Sequence, residues 1–124
     1  MFAVEKRVSL LMPTEDSGRM HLFVVLRDPA GPQRLTVVVQ INSARPGKKY
    51  DRTCMLHAGE HEFIKHPSYV NYRKCRLEFA EVLERGIKSG RYKEKARIDA
   101  GLFERILAGA ARSKSTRQYV KEYL

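Results

Sequence analysis

The sequence predicts an α+β fold: a small, strongly bent sheet or barrel of four or five short strands, followed by helices packed on it. Three observations carry this expectation. All five prolines lie within residues 1–67, and residues 78–124 have none. The apolar spacing changes across the same boundary, from a period of two to a helical period. The apolar runs of the first half are short and separated by polar turn segments, as in small barrels. Residues 1–77 are therefore assigned to the strand part and residues 78–124 to a helical extension packed on it, within a single domain.

Each element has its own signal. Residues 8–12, Val-Ser-Leu-Leu-Met, form an apolar run closed by Pro13 and the polar Thr14-Glu15-Asp16-Ser17-Gly18 loop. Residues 21–26 are almost continuously apolar, the pattern of a strand buried on both faces. Asp28-Pro29-Ala30-Gly31-Pro32 then supplies turn chemistry. Leu35, Val37, Val39 and Ile41 alternate with Thr36, Val38, Gln40 and Asn42, a period of two. Arg45-Pro46-Gly47-Lys48-Lys49 makes the next loop. Residues 53–56 read as a short strand and residues 69–77 as a longer one after Pro67. Phe79, Val82, Leu83 and Ile87 then mark an amphipathic helix ended by Ser89-Gly90. Leu102, Phe103, Ile106 and Leu107 mark a second helix, with Asp99 as its N-cap and Gly109 near its end. Ser115 and Gln118 have the spacing of a capping box for a last helix carrying Tyr119, Val120, Tyr123 and Leu124.

Composition narrows the partners. Of 124 residues, 43% are hydrophobic and 31% charged, the balance of a folded domain rather than a disordered one. Lys and Arg number 24 against 14 Asp and Glu, a net charge of +10. Residues 1–77 carry +6 of it and residues 78–124 carry +4, so the basicity covers the molecule and is no tail. Such a surface selects an anionic partner: nucleic acid, an acidic protein or an acidic membrane. No apolar stretch is long enough to span a bilayer, and the opening residues do not read as a signal peptide. Cys54 and Cys75 make no disulfide framework. A cytoplasmic, reduced, membrane-free protein is expected.

Three of the four histidines, His57, His61 and His66, fall within ten residues. Zinc ligation needs paired Cys or His at close spacing; the stretch has no Cys-x-x-Cys, and no metal or other cofactor is expected. Surface histidines in a loop are the plain alternative. Acid–base chemistry is the other reading, because imidazole titrates near neutral pH. Cleavage of RNA by transesterification needs a group to deprotonate the ribose 2′-hydroxyl, a group to protonate the leaving oxygen, and a cation at the phosphate. His21, His61 and His66 supply the first two; Lys65, Arg73 and the Arg45, Lys48 and Lys49 loop supply the third. Residues 69–76 interleave Tyr69 and Tyr72 with Arg73, Lys74 and Arg76, which suits base stacking and phosphate pairing. In a regular strand Tyr69, Asn71 and Arg73 would share one face and Tyr72, Lys74 and Arg76 the other. A half-buried strand with one solvated basic face explains the same pattern without a ligand. Cys75 has no activating neighbour and reads as a small buried residue.

The order of elements resembles the MazF/PemK-type toxins, SH3-like barrels that act as endoribonucleases in toxin–antitoxin pairs. The resemblance covers roughly residues 7–88. It rests on the apolar strand at 21–26, on Val37-Val-Val-Gln-Ile-Asn-Ser43, on Cys54-Met-Leu-His-Ala-Gly59, and on His66-Pro-Ser68-Tyr69-Val70. The family has an apolar strand ending in Thr-Ser at the second of these and an Asp-Ser-Tyr-Val segment at the last. The stretch Gly-x-His-x-Phe-Ile-x-His-x-Ser-Tyr-Val at 59–70 is also similar to a group of uncharacterised bacterial proteins. The resemblance implies an SH3-like β-barrel of about five strands, RNA as substrate, an antitoxin or other acidic protein as partner, and a homodimer. Two departures stand out. The family's catalytic Arg, immediately before Pro, is replaced by His21-Leu22, and its catalytic Thr falls at Asn42, followed by Ser43. Residues 91–124 exceed what the barrel needs.

The expected site therefore holds His21, His61, His66 and Ser43 as catalytic residues. Arg45, Lys48, Lys49, Lys65, Ser68, Tyr69 and Arg73 are expected at the nucleic acid. The function expected is that of a toxin-like, metal-independent endoribonuclease using histidine acid–base chemistry. The alternative is a non-catalytic module that binds nucleic acid, or a protein, through its basic surface. In the protein-interaction version, the last helix docks on a partner or on a second copy.

Overall fold

The computed structural model describes residues 4–14 and 16–124; Glu15 of the Thr14 to Gly18 loop lies outside them. Strands β1 (Ser9–Pro13), β2 (Met20–Val25), β3 (Leu35–Ser43), β4 (Met55–Leu56) and β5 (Ser68–Phe79) follow in order. Helix α1 (Ala80–Lys88), strand β6 (Lys93–Lys95), and helices α2 (Ala100–Arg112) and α3 (Gln118–Lys121) complete the chain. The strands form one antiparallel sheet in the order β4-β5-β3-β2-β1-β6, curled into a half-barrel. The fold is thus α+β, with six strands rather than five.

The sixth strand is the main departure from the sequence expectation. Lys93-Glu94-Lys95 has no apolar alternation, because it lies at the sheet edge and is largely exposed. It pairs with β1 through Leu11↔Lys93 and Ser9↔Lys95. A charged, three-residue edge strand also blunts edge-to-edge association.

Both faces of the sheet are covered, which explains the near-continuous apolar run in β2. Leu22 and Val24 face a core shared with Val37, Val39, Ile41, Val70 and Tyr72, closed by Leu102, Phe103 and Ile106 of α2 and by Val120. Phe23 and Val25 face the opposite core, with Leu10, Met12 and Val38, closed by Ala80 and Leu83 of α1. The period of two in β3 sorts Val37, Val39 and Ile41 from Val38 in the same way.

In β5 the alternation fails. Val38 pairs with Arg76 and Gln40 with Asn71, so two steps along β3 oppose five along β5. The bulge leaves Arg73 and Lys74 exposed side by side, while Tyr72 and Cys75 are buried in the α2 core. Tyr72 and Lys74 therefore do not share a face.

Asp99 caps α2 as expected, accepting from the Gly101 and Leu102 amides. The capping box at Ser115 does not form. Helix α3 is a single turn with Arg117 at its N-cap and no side-chain cap. The Ser115 amide instead donates to Ser113 Oγ at 3.1 Å.

Candidate nucleic-acid interface

Three depressions that share lining residues join into one groove across β5 and β3. One end lies between Tyr50, Tyr69 and the segment following α2, lined also by Lys49, Asn71, Arg73, Arg112 and Lys114. The middle is lined by Gln40, Arg73, Lys74, Arg76 and Arg117. The far end gathers Arg19, His21, Asn42, Ser43, Arg45, Asn71 and Lys74. Asn71, Arg73 and Lys74 each border two of the three depressions, and the last two are the residues the β5 bulge leaves exposed. Among the described residues, the carboxylates lining the groove are Asp16 and Asp51, so its field is strongly positive.

The floor of the far end is an amide network. Asn42 Oδ1 accepts from Gln40 Nε2 at 3.0 Å and from Asn71 Nδ2 at 3.2 Å. Next to it, Ser43 Oγ and His66 Nε2 are 2.6 Å apart, which joins the loop before β5 to the end of β3. His66 is exposed and His21 half-buried. His21, Ser43 and Arg45 line this depression, and His66 adjoins it through its hydrogen bond to Ser43.

His61 does not join them. It is 5% exposed, and both ring nitrogens are engaged. Nδ1 accepts from the Phe63 amide at 3.0 Å, which makes Nε2–H the donor. That donor faces the Ala96 carbonyl at 2.8 Å and Ser9 Oγ at 3.2 Å. His61 ties the 61–64 turn to the β1–β6 edge and, enclosed with both nitrogens engaged, lines none of the three depressions. Ser68 is likewise buried, away from the three depressions, and its hydroxyl donates to the His66 carbonyl at 2.9 Å. Lys48 and Lys65 are exposed on loops outside the three depressions. Arg45, Lys49, Tyr69 and Arg73 line the groove.

Sequence reasoning missed the contribution of Tyr50, Arg52 and the segment after α2. Tyr50 stacks on Tyr69 with centroids 4.9 Å apart and planes 24° from parallel. The Arg52 guanidinium lies 4.8 Å from the Tyr50 ring centre. A tyrosine and an arginine in a Pro-Gly loop carry no periodic signal. Asp51 fixes this end, accepting from Thr53 and, at 2.6 Å, from Ser113 Oγ. Burial pushes its carboxyl pKa up, but the Ser113 and Thr53 hydrogen bonds outweigh that and leave it below the ordinary value.

The thiols do not take part. Burial raises the pKa of Cys54 and pushes that of Cys75 up to about 12, so neither is a thiolate at neutral pH. Among the described residues, no three His, Cys, Asp or Glu side chains are grouped as metal ligands, and no helix is long and apolar enough to cross a membrane. No protein-family model matches the chain, and no curated protein matches it.

Proposed function

We propose that the chain is an RNA-directed, toxin-like protein that binds unpaired RNA along the groove and cleaves it without a metal. The observation that carries this reading is that His21, Arg45 and Ser43, the last hydrogen-bonded to His66, lie at one end of the basic groove. A divergent MazF/PemK-like, SH3-related barrel is part of the proposal. It is supported by the three resembling stretches around Val37, Cys54 and His66, which fall on or beside the neighbouring strands β3, β4 and β5.

In the proposed reaction, His66 takes the proton of a ribose 2′-hydroxyl, displacing the Ser43 hydroxyl as its hydrogen-bond partner. The 2′-oxygen attacks the adjacent phosphorus, the bond from phosphorus to the 5′-oxygen breaks, and His21 protonates that oxygen. Arg45 and Lys74 face the charge that develops on the phosphate. The products are a 2′,3′-cyclic phosphate and a 5′-hydroxyl end. His21 then stands where the resembled family has its arginine, and the Asn42 amide network takes the place of the family's threonine.

The test is incubation with a long RNA, with and without EDTA, read on a denaturing gel. Native protein yields discrete fragments in EDTA. His21→Ala and His66→Ala each reduce the rate by about 100-fold or more, with unchanged melting temperature. Unchanged cleavage in both variants would overturn the histidine assignment.

A second reading rests on the length of the groove, most of which lies away from the histidines. In it, the same surface binds RNA, or an acidic partner such as an antitoxin, without chemistry. A salt-dependent shift of intact RNA is its signature. A homodimer belongs to the first reading, and the molar mass in solution tests it.

A further inference from the structure

We propose that the groove's end between β5 and the C-terminal end of α2 is a nucleotide subsite, holding one unpaired nucleobase on the Tyr50–Tyr69 stack and its phosphate on Arg112 and Lys114. The inference rests on the reading of the groove as an RNA site and adds which part of the strand is gripped, and by what.

Two independent features converge there. The first is a prebuilt aromatic stack. Tyr50 and Tyr69 are already stacked at 4.9 Å, with the Arg52 guanidinium 4.8 Å from the Tyr50 ring centre, and both rings line the cleft. A base adds one more layer without any ordering of loose side chains, and stacking of this kind tolerates any base. The second is the opposite wall. Arg112 and Lys114 are exposed and flank the buried Ser113. Ser113 is pinned by Asp51, on the loop that carries Tyr50 and Arg52. One hydrogen bond thus holds the cation wall and the stacking wall at a fixed separation. The cleft between them measures about 700 Å³, within the usual range for a small-ligand site.

The electrostatics favour phosphate at the outer part of this wall. The C-terminal end of α2 carries negative partial charge, and Asp51 is ionised. Asp51 is half-buried on Ser113, whereas Arg112 and Lys114 are exposed, Arg112 keeping one bond to the Thr53 carbonyl at 3.3 Å. The end of α2 and the residues after it, beyond closing the core, supply the second wall of the subsite.

The experiment uses the full chain in EDTA and 2′-O-methyl hexamers, which cannot be cleaved, one of adenosines and one abasic of equal length. Binding is read by fluorescence anisotropy. Native protein binds the base-bearing hexamer about ten-fold tighter than the abasic one. Tyr69→Ala abolishes that preference and keeps binding to both; Tyr50→Ala gives the same result should Tyr69→Ala melt early. Arg112→Gln with Lys114→Gln weakens both hexamers and lowers the log–log salt slope by roughly 1.4, about 0.7 for each cation neutralised. Unchanged affinities in all these variants, with Arg73→Gln still weakening binding, would overturn the subsite and leave the groove reading intact. No binding of either hexamer by native protein would overturn both.

Discussion

His61 and His66 lie five positions apart and differ in everything that governs their chemistry. His61 is enclosed, with Nδ1 committed to an amide donor and Nε2 to a carbonyl and a hydroxyl. His66 is exposed, with Nε2 on the hydroxyl of Ser43. His61→Ala removes the acceptor of the Phe63 amide and a donor to the Ala96 carbonyl, leaves a cavity where the buried ring sat, and should cost about 2–3 kcal/mol. That corresponds to a melting temperature lower by roughly 10 °C, measurable by calorimetry, whereas His66→Ala should cost less than about 0.5 kcal/mol. Their residue types were legible in the sequence; which histidine is buried was not, because the β1–β6 edge that encloses His61 is made by a strand without an apolar pattern. Asp51 acts at the same scale. Its carboxyl titrates below the ordinary range through the Ser113 and Thr53 bonds. Since the folded value is lowered, the linked stability is present above the unfolded value near pH 4 and is lost as pH falls through the folded one. Thermal melts should show Asp51→Asn destabilised at pH 7, with the difference from native protein closing below about pH 4.

At the scale of elements, the packing of β5 on α2 governs what the groove presents. Tyr72 is fully buried and donates to the Ile106 carbonyl at 2.7 Å. Helix α2 comes this close because residue 109 is glycine: a Cβ there would lie 2.2 Å from the Tyr72 hydroxyl oxygen. Gly109→Ala should therefore destabilise by about 1–3 kcal/mol, despite the better helix propensity of alanine. Adding Tyr72→Phe removes the nearest clashing atom and should recover part of the stability; chemical denaturation of the single and double variants checks this. The cap at Asp99, the apolar face of α2 and the two-sided burial of β2 were all legible, because each is a local pattern. The bulge in β5 was not. It depends on pairing with β3, and it overturned the expected sorting of Tyr72 and Lys74.

At the scale of the whole molecule, the charge of +10 was expected over the entire surface. The fold gives it direction by lining one groove with Arg19, Arg45, Lys49, Arg73, Lys74, Arg76, Arg112, Lys114 and Arg117. Those residues come from both halves of the sequence, so the end at Tyr50 exists only once α2 has packed on β5. The class and the balance of charge were visible in the composition; the convergence of distant segments required the topology. The most direct test of the proposed activity is mass spectrometry of a short RNA incubated with native protein in EDTA. Transesterification by His66 and His21 predicts fragments ending in 2′,3′-cyclic phosphate and beginning with 5′-hydroxyl. Intact RNA, or fragments with 3′-hydroxyl and 5′-phosphate ends, would contradict it.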